Sequence, residues 1–421
     1  MAQDLKKRLR LLYQSALVYA FGENFAGGQT VGASFVNMYT VELGASPTEI
    51  GMFHSITTSI QSILQLLWGR LSDKAGRRIP FIVLGGIGYS LLWIPILYAP
   101  SPMVLLGFLA LQAFFASIRL PTWTSLVGDL APKTNRGTIT ANVSFFITLA
   151  GLFAILLSGF IMFYSSGSLT DIYFIPFMAA AVFGVLGTLS VLFMKEDKKE
   201  ATRSMGVMQL VRSIGVNREF QKYTVISLMS NTALVLLLPI ISLMTVSVLK
   251  VDKLTFALYG VVRCVSLLVS QRWIGRITDL TGRRQLMFIQ RLLYILVPGL
   301  FVLAPDKYFV FIPYIILGGL HAIESTANQA YLLDISPAEE RGSFISVFNA
   351  IQGMGMFVST LLSGYLIESF SGTMSLIDAL KAVALITTVL RVPTAFAYLA
   401  LKEPRSYPST IGGEIRKILS R

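Results

Sequence analysis

Apolar residues run through this chain in long blocks, and polar residues gather in the gaps between them. A helix needs roughly 20 mostly apolar residues to cross the hydrocarbon core of a bilayer. Blocks of that kind fall at about 11–41, 50–69, 79–99, 103–128, 138–163, 172–194, 223–249, 254–271, 286–304, 308–333, 343–367 and 382–401. They lack the two-residue alternation of short barrel strands. The pattern predicts an all-α polytopic membrane protein with twelve spanning helices, numbered 1 to 12 in chain order. At the N-terminus, Lys6, Lys7, Arg8 and Arg10 precede an apolar run, as in a signal peptide. The run is too long, is broken by Glu23 and Asn24, and has no clear small-residue cleavage site, so it reads as helix 1.

Composition agrees with that reading. Hydrophobic residues are 54% of the 421 positions and charged residues 14%, against about 25% charged in an ordinary soluble domain. The net charge of +13 raises the question of nucleic acid. With both termini inside, Lys250, Lys253, Lys307 and Lys381 fall outside, and Arg119, Arg263 and Arg391 lie within apolar blocks. The remaining Lys and Arg take cytoplasmic ends and loops, which follows the positive-inside rule. The basic balance therefore reports topology in a plasma or inner membrane, with no nucleic-acid partner. The single cysteine, Cys264, excludes a disulfide within the chain and leaves too few thiols for a zinc or iron–sulfur site.

The chain repeats itself. Gly69-Arg-Leu-Ser-Asp73-Lys-Ala-Gly76-Arg77-Arg78 recurs as Gly275-Arg-Ile-Thr-Asp279-Leu-Thr-Gly282-Arg283-Arg284, 206 positions later. Asp129-Leu-Ala-Pro132-Lys-Thr-Asn-Arg136-Gly137 recurs as Asp334-Ile-Ser-Pro337-Ala-Glu-Glu-Arg341-Gly342, 205 later, and Leu156-Leu-Ser-Gly159 as Leu361-Leu-Ser-Gly364 at the same offset. Six helices precede a charged stretch and six follow it. This organisation predicts an N-terminal bundle over 1–194, a cytoplasmic loop over 195–222 and a C-terminal bundle with a short tail over 223–421. An even number of helices per half makes the repeat a parallel one.

The Gly-x-x-x-Asp-x-x-Gly-Arg-Arg loops, each after the second helix of its half, resemble the signature loop of the major facilitator superfamily. The Asp-x6-Arg segments after helices 4 and 10 resemble that family's Glu-x6-Arg motif, with Asp in place of Glu. The resemblance covers the whole chain. It implies two six-helix bundles around a central cavity lined by helices 1, 4, 7 and 10 and bordered by helix 8, rocking between inward- and outward-open states. It also implies a conformational latch: Asp73 and Asp279 accept hydrogen bonds from helix N-termini of the other half and from Arg136 or Arg341, so the contacts form in one state and break in the other. Leu280 stands where the first copy has Lys74, which weakens the second latch.

Ionisable residues near a bilayer centre cost about 2.5–3.5 kcal/mol each on insertion scales. Glu23, Arg119, Arg263, Glu324 and Arg391 all lie inside apolar blocks and must be paired or wetted. At 1.5 Å per residue, the first four sit roughly 15–18 Å in, the middle of the core. Arg119 and Glu324 are repeat mates, which places opposite charges at matching depth and makes Arg119 the expected partner of Glu324. Together with Glu23 and Arg263 they form the expected solute and coupling layer, with Glu23 as the proton carrier. Asn24, Trp123, Asn231 and Asn328 lie near the same layer, and His321 shares a face with Glu324 at i−3. Arg391, on the peripheral helix 12, reads as snorkelling or packing. Pro121 loosens helix 4 beside Arg119.

The function this predicts is secondary active transport of a small organic solute, leaning anionic or zwitterionic, carried out by a monomer with protons as partner and no cofactor. A multidrug exporter of the same fold is the alternative, though helix 5 lacks the Gly-Pro pair usual in such exporters. A non-transporting sensor or scaffold is the alternative of another class. An ATP-driven pump is excluded by the lack of any Gly-x4-Gly-Lys-Ser/Thr loop, and two distant histidines offer an enzyme little to work with.

Overall fold

The computed structural model describes residues 2–27, 34–130, 136–194, 196, 207–337 and 341–403. Among them there is no strand. Helix 1 runs Ala2–Ala26 and is followed, beyond a turn at Gly27, by a short helix Phe35–Glu42. The expected single block over 11–41 is thus two helices. The chain continues through helix 2 Pro47–Ala75, helix 3 Ile79–Leu97, helix 4 Pro102–Leu130, helix 5 Arg136–Tyr164 and helix 6 Leu169–Phe193. A helix over Val207–Val216 intervenes before helix 7, Arg218–Val248, which starts earlier than its apolar block. Helix 8 is Lys253–Thr281, helix 9 Arg283–Val302, helix 10 spans 311–335, helix 11 is Arg341–Ser371 and helix 12 Leu376–Ala400. Nine of these are long and apolar enough to cross a membrane among the described residues. The other three, helices 1, 2 and 10, are consistent with the twelve expected but carry more polar side chains.

The chain divides into two compact units. The first comprises Met1–Ser204 with Lys250–Val261, the second Met205–Leu249 with Val262–Arg421. In the first, helix 1 packs on helices 5 and 6, helix 2 on helix 4, and helix 3 on helices 4 and 6. Small residues permit the close approaches, as is usual between membrane helices: a Cβ on Gly22 would fall 2.6 Å from the Gly184 nitrogen, and one on Gly187 2.4 Å from that of Tyr19. Ser158 donates to the Phe25 carbonyl at 2.7 Å. The first turns of helix 8 are part of this unit, where Lys253 pairs with Glu42 and donates to the Tyr173 hydroxyl at 2.9 Å.

The second unit repeats the plan. Helix 7 packs on helices 11 and 12, and helix 9 on helices 10 and 12. Ser363, the repeat mate of Ser158, donates to the Leu236 carbonyl at 2.6 Å. Helix 8 meets helix 10 at Gly318, where a Cβ would fall 2.3 Å from the Arg263 carbonyl oxygen. Both units turn large apolar side chains outward, among them Phe153, Phe193, Leu296 and Leu385, far more exposed apolar surface than a soluble monomer carries. That surface suits lipid.

Candidate functional site

The signature loops turn at glycines with positive φ, Gly76 at 65° and Gly282 at 91°, a region that residues with a Cβ adopt at a cost. A helix N-terminus follows each turn, and its free N–H groups need acceptors. A carboxylate supplies them in both halves. Glu196 accepts from the Arg78 and Ile79 amides, the latter at 3.0 Å, and Glu403 from the Arg283 and Arg284 amides at 3.2 and 3.0 Å. The charge also suits the positive end of the helix dipole. Sequence reasoning passed over these two residues. Their signal was a Lys-Glu dipeptide directly after helices 6 and 12, at 195–196 and 402–403.

The arginines of each loop reach the Asp of the same half. Arg78 Nε lies 3.6 Å from Asp129, and Arg283 bonds Asp334 and the Ala330 carbonyl. Arg78 also donates to Ser72 at 2.8 Å, Arg284 to the Leu401 carbonyl at 3.3 Å, and Arg341 to the Leu333 carbonyl at 3.2 Å. Arg77 is exposed, Gly69 lies on helix 2 and Gly275 on helix 8. The side chains of Asp73, Asp279, Leu280 and Arg136, on which the expected latch turned, lie outside the described residues.

Within the first unit, Arg119 is buried on helix 4 and its guanidinium stacks on the Tyr19 ring of helix 1, 3.1 Å from the centroid. Cation–π contact with an aromatic face is favourable for a desolvated arginine. No acceptor oxygen bonds Arg119 among the described residues. Trp123, one turn on, has its ring 5.9 Å from the same guanidinium and packs with Leu12, Ala16 and Leu126. Glu23, one turn beyond Tyr19, is half-buried and close enough to interact electrostatically with Arg119, yet its carboxylate accepts no hydrogen bond among the described residues. Asn24 donates to the Ala20 carbonyl at 2.7 Å and leaves its own buried oxygen without a partner.

The second unit is wired differently. Glu324 on helix 10 is bound by Arg291 of helix 9 at 3.2 Å and by Gln290 at 2.9 Å. Gln290 accepts from Asn328 at 3.2 Å; Arg291 donates to Asn231 at 3.4 Å, and Asn231 donates to Gln352 at 3.0 Å. One polar chain thus links helices 7, 9, 10 and 11. This corrects the expected Arg119–Glu324 pair: the fixed partner of Glu324 is Arg291. It also corrects the placement of Arg291 among the cytoplasmic cations. Helix 9 starts at Arg283, so Arg291 sits two turns inside it and only 3% exposed. Helix 10 changes to π-helical turns over Glu324–Asn328, a distortion frequent at functional positions. At the matching point of helix 4 stands Pro121, so each half loosens the same level by its own device.

Arg263 on helix 8 is half-buried and His321 on helix 10 is exposed; the two interact electrostatically, and neither side chain makes a hydrogen bond among the described residues. Arg391 does not snorkel. It is buried and donates to the carbonyls of Ala233 at 3.3 Å, Leu234 at 3.0 Å and Tyr294.

Two helical units of one repeated plan, with charges held inside apolar helices, define a polytopic membrane carrier. A family model described as Major Facilitator Superfamily matches residues 17–305 and 223–420. The chain belongs to that superfamily and is a multi-pass membrane transporter. It is 24% identical over 342 residues to an uncharacterised MFS-type transporter of Methanocaldococcus jannaschii, covering 78% of this chain and 82% of the relative. It is 23% identical over 354 residues to a multi-drug resistance efflux pump PmrA homolog of Lactococcus lactis, covering 79% and 84%. Its fold is shared with a point mutant of the nucleoside transporter NupG, with a TM-score of 0.75 at 15% identity and coverage of 95% and 100%. A D-xylose–proton symporter gives 0.65 at 14% identity, covering 96% and 99%.

Proposed function

We propose that this transporter moves a small organic anion or zwitterion by alternating access, coupled to protons, as a monomer in the cell membrane with both termini cytoplasmic. The observation that carries this is Arg119, a permanently charged group buried in a spanning helix with an aromatic ring against it and no acceptor oxygen among the described residues. A lone charge at that depth is costly, and a solute carboxylate or phosphate would relieve it. The charge balance supports the sign. Arg291 cancels Glu324, which leaves Arg119, Arg263 and Arg391 against Glu23 among the described intramembrane groups. Glu23, near Arg119 and free of hydrogen bonds among the described residues, is the proton carrier in this reading. The pairs Arg78–Asp129 and Arg283–Asp334 hold the signature loops in one state, with the halves over 1–194 and 223–421 as the moving bodies.

A second reading, export of hydrophobic compounds, is favoured by the names of the Lactococcus relative and of a Dickeya zeae multidrug resistance protein at 23% identity. The aromatic run Tyr19–Tyr89–Trp93, with ring centroids 6.5 and 6.1 Å apart, also suits it. A thermal-shift screen of the purified protein separates the two, because bound ligands raise apparent stability. Organic anions or zwitterions should raise the melting temperature of the wild type and leave Arg119→Gln unmoved. Shifts from hydrophobic cations alone, unaffected by Arg119→Gln, would transfer the assignment to the exporter.

A further inference from the structure

A second cationic cluster lies in the second unit, apart from Arg119 and Glu23. Between helices 7, 9 and 12 a cavity of about 10 Å³ is lined by Ser230, Leu234, Arg291, Tyr294, Arg391 and Thr394, room for about one water-sized particle. Its walls are rich in donors. Arg291 Nε is buried without a partner, and the Ser230 hydroxyl makes no hydrogen bond among the described residues. Arg391 spends its guanidinium on three neutral carbonyls and forms no ion pair among the described residues. Arg291 and Arg391 are each 3% exposed, and the one carboxylate bound to either among the described residues is Glu324. The cluster therefore carries one positive charge in excess on two almost fully buried side chains.

Excess charge in a low-dielectric interior is relieved by a counter-ion or by loss of a proton, and arginine does not give up its proton. A void flanked by two guanidinium groups, an unpartnered N–H and a hydroxyl has the character of an anion site. Its size excludes organic acids, and a halide, somewhat wider than a water, fits as the flexible guanidinium and hydroxyl walls give. We propose that this cavity binds a chloride ion, held by Arg291, Arg391 and Ser230, as a fixed counter-ion that keeps Arg291 available to Glu324. Three carbonyls already accept from Arg391, so the ion is expected to lean towards Arg291 Nε and the Ser230 hydroxyl.

The test is binding of radioactive chloride to the purified full-length protein, alongside melting curves in sodium chloride and sodium gluconate of equal ionic strength. Saturable binding is expected, with bromide competing and a higher melting temperature in chloride than in gluconate. Ser230→Ala, a small change that should leave the fold intact, should weaken binding several-fold, and Arg391→Gln should abolish it. Arg119→Gln should leave it unchanged. The proposal is overturned if wild-type protein shows no saturable binding and melts alike in both salts, since the cavity then holds water. It is equally overturned if binding survives both cavity variants, or is lost in Arg119→Gln, since the ion then belongs elsewhere.

Discussion

Burial of charge is decided side chain by side chain, and the two units solve it in opposite ways. Glu324 is held by Arg291 and Gln290, whereas Arg119 rests on a ring and Glu23 bonds to nothing among the described residues. Removing one member of a buried ion pair costs roughly 3–5 kcal/mol, and removing both costs much less. Glu324 is partly open, with 34% of its side chain exposed, so the lower part of that range applies. Arg291→Gln should therefore lower thermal stability more than the double change Arg291→Gln with Glu324→Gln. A double loss equal to the sum of the two single losses would mean that the pair carries no interaction. The charged positions themselves were readable from sequence, because ionisable residues stand out in apolar blocks. The partner of Glu324 was not. Depth along a helix fixes level only, and the choice between Arg119 and Arg291 depends on how helices 9 and 10 rotate against each other. Arg291 also lies near one end of its apolar block, where arginine ordinarily marks topology.

At the scale of the helix, two backbone irregularities lie at the level of the charges. Pro121 removes a hydrogen bond from helix 4, and helix 10 widens over Glu324–Asn328. Replacing Pro121 with Ala should restore that bond, raising or preserving the melting temperature while slowing transport; unchanged transport would reduce Pro121 to packing. The turns are a second such point. Gly282 has φ 91° and ψ 161°, a region reserved almost entirely for glycine, with strain of about 1–3 kcal/mol for other residues. Gly76, at φ 65°, also lies at positive φ, which a residue with a Cβ adopts at a cost. Gly282→Ala and Gly76→Ala should thus each lower the melting temperature; an unchanged value for Gly282→Ala would contradict the backbone geometry. Proline and the glycine loops were legible because they are residue identities. The π-helical turns were not, since a change of hydrogen-bond register leaves no mark on hydrophobic spacing. The end of helix 1 at Ala26 was hidden by apolar residues on both sides of it.

For the whole molecule, length and repetition gave the architecture away. Twelve apolar blocks and three motif pairs at nearly one offset leave little freedom in the plan, and the repeat mates Ser158 and Ser363 donate to carbonyls of helices 1 and 7. The halves nevertheless diverge in chemistry: one keeps its carboxylate paired, the other leaves its carboxylate and arginine uncommitted. That asymmetry is the basis for assigning solute and proton to Glu23 and Arg119. The direct test uses a ligand from the thermal-shift screen and measures its uptake into proteoliposomes, with and without an imposed pH gradient, for the wild type and Glu23→Gln. The gradient should drive accumulation by the wild type, while Glu23→Gln should still exchange the ligand across the membrane but no longer respond to the gradient. Gradient-driven accumulation by Glu23→Gln at the wild-type level would contradict the assignment.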